Sequence, residues 1–194
     1  MKHWIIAAVI VIAGLVIWKF NTVPDYPEIV SPRPVTNPEA SIKVEEFSDF
    51  QCPACGAAFR ALKPELDKFG DKVSVWYRHF PLTSVHQNAF NAALASECAN
   101  DQGKFWQYHD MLFDNQTVLF NPDLKRYAIA VGLDQQKFDN CLDSKAKKKV
   151  VKEDMKEGED RGVNSTPTFF VNGKEVSNWQ ELPKIVQGLL GGPR

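Results

Sequence analysis

Two cysteines, Cys52 and Cys55 in the tetrapeptide CPAC, lie between the extended run SIKVEEFSDFQ and a stretch of helical composition. This pair constrains the fold most, because its chemistry is best served where a strand ends and a helix begins. Exchange of a small disulfide needs one sulfur within reach of a second protein and another behind it to resolve the mixed disulfide. A helix start supplies unpaired N–H groups and the positive end of the helix dipole, which favour a thiolate and lower the pKa of Cys52. Pro53 suits that first turn, where its fixed φ fits and its missing N–H is not needed. Alone the motif is ambiguous, since half of a zinc site has the same spacing.

The flanking pattern resolves part of the ambiguity. Ile42, Val44 and Phe47 to Phe50 predict a strand running into the CPAC turn, and GAAFRALKPELDKFG predicts a helix kinked at Pro64. VSVWYRHF, residues 73–80, predicts a second, buried strand ending at Pro81. Strand, CPAC, helix, strand is the opening of a thioredoxin fold. A long helical region follows, with Phe90, Leu94 and Cys98 on one face. Asn121 and Pro122 read as cap and first turn, Gly132 as a stop, and Asp134 as the cap of a helix carrying Phe138, Cys141 and Leu142. KAKKK (145–149) opens a charged helix with Val151 and Met155 inward, and its lysines read as a solvated face rather than a binding patch. Thr168 to Val171, the Asn172-Gly173 turn and Lys174 to Val176 predict a hairpin. Ser177 or Asn178 can cap a last helix burying Leu182, Ile185, Val186, Leu189 and Leu190, with Pro183 disturbing its first turn.

With 194 residues, 44% of them hydrophobic, the chain can bury one good core and carry an appendage. The formal net charge of −1 gives no electrostatic argument for nucleic acid or for an anionic membrane surface. The appendage is N-terminal. Trp4 to Trp18 is an apolar run without a charge, short for a bilayer but extended by Phe20 and a snorkelling Lys19. An uncleaved transmembrane anchor over residues 1–20 is expected; the rival, a cleaved signal, lacks a small-x-small site after the run. Residues 21–40 hold Pro24, Pro27, Pro32, Pro34 and Pro38, and predict an extended spacer rather than a ligand for a proline-binding module. The domain is then expected over 41–194.

VEEFSDFQCPAC, WYRHFPL, AALASECANDQGKFWQYHDMLF, FDNCLDS and GVNSTPTFFVNGKEV together resemble the successive motifs of the DsbA-like thiol oxidoreductases, in particular their membrane-anchored branch. The resemblance covers residues 41 to about 190 and implies an α/β thioredoxin fold with an inserted helical subdomain at about 84–162. It implies that Cys52 is the attacking, solvent-facing thiol and Cys55 the buried resolving one. Thr166-Pro167 matches the family's cis-proline element, which lies beside the CxxC and pairs with bound substrate. Glu46 matches a buried acid near the resolving cysteine, able to relay its proton; strand alternation lets only Glu45 or Glu46 face inward. The middle pair departs from the strongly oxidising members. Where those often carry Pro-His, this chain has Pro53-Ala54, so one thiolate contact is lost and the potential can be milder. His79 and His86 fall on matched motifs, with packing or hydrogen bonding expected rather than catalysis.

Cys98 and Cys141 can be buried free thiols on apolar faces, but an even cysteine count in an oxidising compartment, and a second disulfide in the insertion of several relatives, favour a structural bond. The implied function is an extracytoplasmic thiol:disulfide oxidoreductase, held at the cell membrane by one span, that introduces disulfides into reduced client proteins. A membrane-embedded quinone-linked oxidase would reoxidise it; in a reductase or isomerase, a membrane electron donor would keep it reduced. Outside this class stand a non-catalytic binding module and a metallochaperone using CPAC, the latter without nearby Met or His ligands. No bound cofactor, metal, nucleic acid or dimer is expected.

Overall fold

The computed structural model describes residues 31–191. The expected anchor over 1–20 and the first half of the proline-rich spacer lie outside them. No helix among the described residues is long and apolar enough to cross a membrane.

The first strand, β1 (Ile42–Ser48), leads through the CPAC turn into α1 (Pro53–Asp67) and, after one 3₁₀ turn, into β2 (Val73–His79). Five helices follow: α2 (Ala89–Asn100), α3 (Phe105–Asp114), α4 (Asn121–Ala130), α5 (Gln135–Ser144) and α6 (Lys148–Asp160). The chain returns in β3 (Thr168–Val171) and β4 (Lys174–Val176) and closes with α7 (Leu182–Gly191). The sheet order is β2-β1-β3-β4, with β1 and β2 parallel, β1 and β3 antiparallel, and β3 and β4 a hairpin. Asn172 (φ 49°) and Gly173 (φ 81°) turn that hairpin with two left-handed residues, which explains the Asn-Gly pair.

Alternation along β1 divides the core. Val44, with Ala58 and Leu62 of α1 and Leu182 and Val186 of α7, fills one side of the sheet. Phe47, with Phe80, Val163 and Phe170, fills the other. Phe50, Tyr77, Phe113 and Phe138 belong to a larger core that joins the sheet to the inserted helices. Within it Cys98 of α2 and Cys141 of α5 form a disulfide, with Cα atoms 5.8 Å apart. That bond joins the two helices across 43 residues of chain, a closure worth about 4 kcal/mol in a chain-entropy model.

Several local expectations shift. Helix α4 starts at Asn121 with Phe120 as its N-cap, so the predicted cap is one residue late; Asn121 instead accepts a hydrogen bond from Asn91. The cap at Asp134 is as read, accepting from the Lys137 N–H. Asn178 caps a 3₁₀ turn ahead of α7, which absorbs Pro183. Leu189 does not turn inward: it is 51% exposed. The lysine run is not uniformly solvated either, because Lys147 is buried in an ion pair with Asp101.

The larger shift concerns the second half of the spacer. Residues 31–37 lie along the free edge of β2, antiparallel to it, rather than standing off the domain. Thr36 N–H donates to Val75 O, Tyr77 N–H donates to Pro34 O, and Asn100 donates to Pro32 O. Prolines 32 and 34 cannot donate, yet their carbonyls accept, so a proline-rich segment can still cover an edge strand. Arg33 locks the segment down at 2.8 Å from the fully buried carboxylate of Asp154.

Candidate functional site

The C-terminal end of β1 builds the site. Asp49 is buried in the turn and its carboxylate accepts from Gln51 N–H, Leu82 N–H and His86 Nδ1 at 2.7–2.8 Å. Those bonds tie the CPAC approach to the loop after β2. Cys52 follows as the N-cap of α1, with Pro53 next to it in the first turn. Pro53 and Ala54 are exposed and Cys55 is fully buried; Cys52, expected to face solvent, is only 6% exposed, with its sulfur turned toward Thr166. The two sulfurs are free thiols here, so the structure shows the dithiol form.

The Thr166-Pro167 peptide bond is cis, and the Thr166 carbonyl oxygen lies 3.4 Å from Cys52 Sγ. The Cys52 pKa is lowered from 9.0 to about 5: the Cys55 thiol contributes most, opposed by burial and aided by Thr166 and the N–H groups of Ala54 and Cys55. Cys55 moves the other way, far above an ordinary thiol, because burial and the adjacent Cys52 both oppose its ionisation. Its sulfur accepts a hydrogen bond from Asp49 N–H at 3.5 Å. A first thiol that ionises easily and a second that does not is what ordered exchange through one sulfur needs.

Glu45 and Glu46 take opposite faces of β1. Glu45 joins Lys43, Arg78 and Arg161 in ion pairs, and those cations outweigh burial to lower its pKa. Glu46 turns toward α1 and lines a cavity of about 610 Å³ walled by Phe59, Leu62, Trp106, His109 and Phe169. Burial lifts its pKa from 4.5 to about 7. Glu46 Oε1, Ser48 Oγ and Tyr77 OH all make no hydrogen bond to the described residues. Tyr77 is pushed well above 10 by burial and by the fields of Glu46 and Cys55, which places all three groups in one buried neighbourhood.

The histidines are structural in their contacts. His79 is buried and bonded to Glu97 at 3.0 Å, and His86 to Asp49 at 2.8 Å. His109 sits among Phe50, Phe59, Tyr77, Phe105, Trp106 and Phe113, where burial lowers its pKa. Among the described residues no group of three His, Cys, Asp or Glu side chains is placed to hold a metal ion.

Sequence reasoning missed two parts of this site. Asp49 bonds the N–H two residues on, an Asx turn for which Asp after Ser48 was an available signal. Gln116, in the loop after α3, had none: its Nε2 donates to Phe50 O and Cys52 O at 3.0 and 2.9 Å. Its amide rests on Gly56, where a Cβ would come within 1.8 Å of Gln116 Oε1. The helical insertion is thereby clamped to the redox turn through a contact only glycine permits.

A thioredoxin family model matches residues 32–188. Similar solved structures include a thioredoxin-like oxidoreductase from Silicibacter pomeroyi DSS-3, 26% identical with a TM-score of 0.72 over 83% of this chain and 94% of that one. BdbD from Bacillus subtilis, in its oxidised form, is 23% identical with a TM-score of 0.74 over 85% of this chain and 100% of that one. Among curated relatives, the Na(+)/H(+) antiporter NhaA 1 of Mycobacterium sp. (strain KMS) is 39% identical over 158 residues, 80% of this chain. The namesake of Salinispora arenicola (strain CNS-205) is 41% identical over 174 residues, 88% of this chain. The chain spans 26% of the length of each of these two antiporters, so the similarity concerns that part alone. The chain belongs to the thioredoxin family and has the fold of its DsbA-like thiol-disulfide oxidoreductases.

Proposed function

We propose that this protein is a thiol:disulfide oxidoreductase that passes a Cys52–Cys55 disulfide to reduced client proteins outside the cytoplasm. One observation carries the reading: Cys52, ionising near pH 5, faces the carbonyl of a cis Thr166-Pro167 bond while Cys55 is buried and stays protonated. A client thiolate attacks Cys52 Sγ of the disulfide, and the S–S electron pair leaves on Cys55, which takes up a proton. Glu46, with a pKa of about 7, is the donor this reading assigns to that proton. The client's second thiolate then attacks its own sulfur in the mixed disulfide and expels Cys52 as a thiolate. The client loses two electrons and two protons; the enzyme is left reduced, with Cys55 as thiol and Cys52 as thiolate, and the second proton goes to solvent.

The low pKa of Cys52 favours this direction, since a stable thiolate is a good leaving group and a stable reduced form makes an oxidant. Ala54 supplies no side-chain contact for it; Cys55, Thr166 and the backbone N–H groups do. Exposed Val118 and Phe120 follow Gln116 in the chain and exposed Val85 precedes His86, both residues bonded to the redox turn, and this reading takes them as apolar contacts for an unfolded client. Residues 4–18 would anchor the domain to the cell membrane, and a quinone-linked membrane oxidase would restore the disulfide. The test is a Cys55→Ser trap in cells. Mixed disulfides through Cys52 are the expected outcome, absent in Cys52→Ser; an empty trap would contradict the proposal.

A further inference from the structure

The charges of α6 are segregated, although the whole chain is nearly neutral. Lys145, Lys148, Lys149 and Lys152 are all exposed, and none has an acidic partner among the described residues. The last three fall within about 100° of the helix circumference, given 3.6 residues per turn. Nearby acids are engaged elsewhere: Asp143 by Lys125, Glu153 by Arg33, Glu157 by Arg78 and Arg161, and Asp160 by Lys156. Glu159, near the far end of the helix, adds its field to that of Asp160 at Lys156. Three uncompensated like charges on one face of α6, with Lys145 at the left-handed C-cap of α5 just before it, repel one another, a cost that an external anionic surface relieves.

The edge strap ends beside this patch. Ser31 bonds Asp101, the partner of Lys147, and Arg33 bonds Val150 O of α6. Between Ser31 and the apolar run ending at Trp18 lie twelve residues, 19–30, spanning at most about 40 Å. A segment of that length holds α6 within reach of whatever surface receives the run, at high effective concentration. We infer that the lysine face of α6 docks on the anionic phospholipid headgroups of the membrane beside the strap. The inference draws on the reading of residues 4–18 as a membrane segment, but the lysine face itself must bind lipid whether or not that run inserts.

The full chain, reconstituted in nanodiscs of phosphatidylcholine with or without phosphatidylglycerol, is pulse-acetylated and each lysine is read by mass spectrometry. Lys174, exposed on β4 at the opposite edge of the sheet, is the reference. With phosphatidylglycerol, labelling of Lys148, Lys149 and Lys152 is expected to fall at least fivefold relative to Lys174, and to recover in 0.5 M salt, as a screened contact requires. Equal labelling on both lipids, or protection of Lys174 instead, would overturn the inference. Should the chain not enter discs, the anchor reading fails separately; flotation with preformed phosphatidylglycerol vesicles then decides. Salt-sensitive flotation abolished by K148E/K149E/K152E supports the docking face, whereas flotation indifferent to those substitutions, or none at all, overturns it. Binding of a single-stranded oligonucleotide without binding of the lipid would overturn the lipid assignment too.

Discussion

At the scale of single residues, exchange turns on which proton each group keeps. Cys52 has its pKa depressed to about 5, so the reduced form gains stability from the thiolate at neutral pH. That gain is complete above the unfolded thiol's pKa and disappears as the pH falls through 5. Reduction then consumes two electrons and one proton above pH 5, but two protons below it. The equilibrium potential should change by about 30 mV per pH unit above pH 5 and about 59 mV below, with the break read by titration against glutathione. Glu46 has the opposite sign. Its carboxyl, raised from 4.5 to about 7, leaves stability intact below pH 4.5, erodes it between the two values and withholds it above 7. Glu46→Gln should therefore stabilise the fold at pH 8 by on the order of 1–3 kcal/mol and do little at pH 4, by urea unfolding at both. If Glu46 also carries the Cys55 proton, the same variant slows exchange. Gly56 and Gln116 couple more simply. Gly56→Ala should cost about 1–3 kcal/mol, and much less in a Gln116→Ala background, because the clash is with that one amide.

Among the elements, those with strong local patterns were readable from the chain. Period-2 alternation marks β1, where Val44 and Phe47 take opposite faces; Asn172-Gly173 marks the β3–β4 hairpin; Asp134 marks the start of α5. The choice between Glu45 and Glu46 was open, because alternation puts them on opposite faces without saying what covers each; both faces are covered, and Glu45, expected outward if Glu46 turned in, is only 5% exposed. The neighbours decide it: Arg78 and Arg161 stand on one face, α1 on the other. Contacts across long stretches of chain left no local trace. Gln116 reaches the redox turn over 66 residues, and Lys147 meets Asp101 in a buried pair that the run of lysines around it disguises. The α2–α5 disulfide lies apart from the redox turn in sequence, although both pack into the large core that joins the sheet to the inserted helices. Replacing Cys98 and Cys141 together with alanine should cost up to about 4 kcal/mol in thermal or denaturant unfolding, while the Cys52–Cys55 potential stays where it was.

For the molecule as a whole, the strap along β2 matters beyond its length. It closes one edge of the sheet, and through Arg33 and Asp154 it joins β2, α6 and the N-terminal approach into one body. Arg33→Ala leaves Arg78 to hold the buried Asp154 carboxylate and should lower stability by about 1–3 kcal/mol, with faster amide exchange at Val75 and Tyr77. Composition alone made those residues a free spacer, since proline content reports what a segment cannot donate and not what its carbonyls can accept. This body holds the thiol pair in place, and the proposed function stands or falls on its passing disulfides outward. The equilibrium redox potential of Cys52–Cys55 against glutathione at pH 7 tests it most directly. A value well above the roughly −270 mV of thioredoxin is expected, as befits a disulfide donor. A value at or below it would contradict the claim and make the protein a reductant.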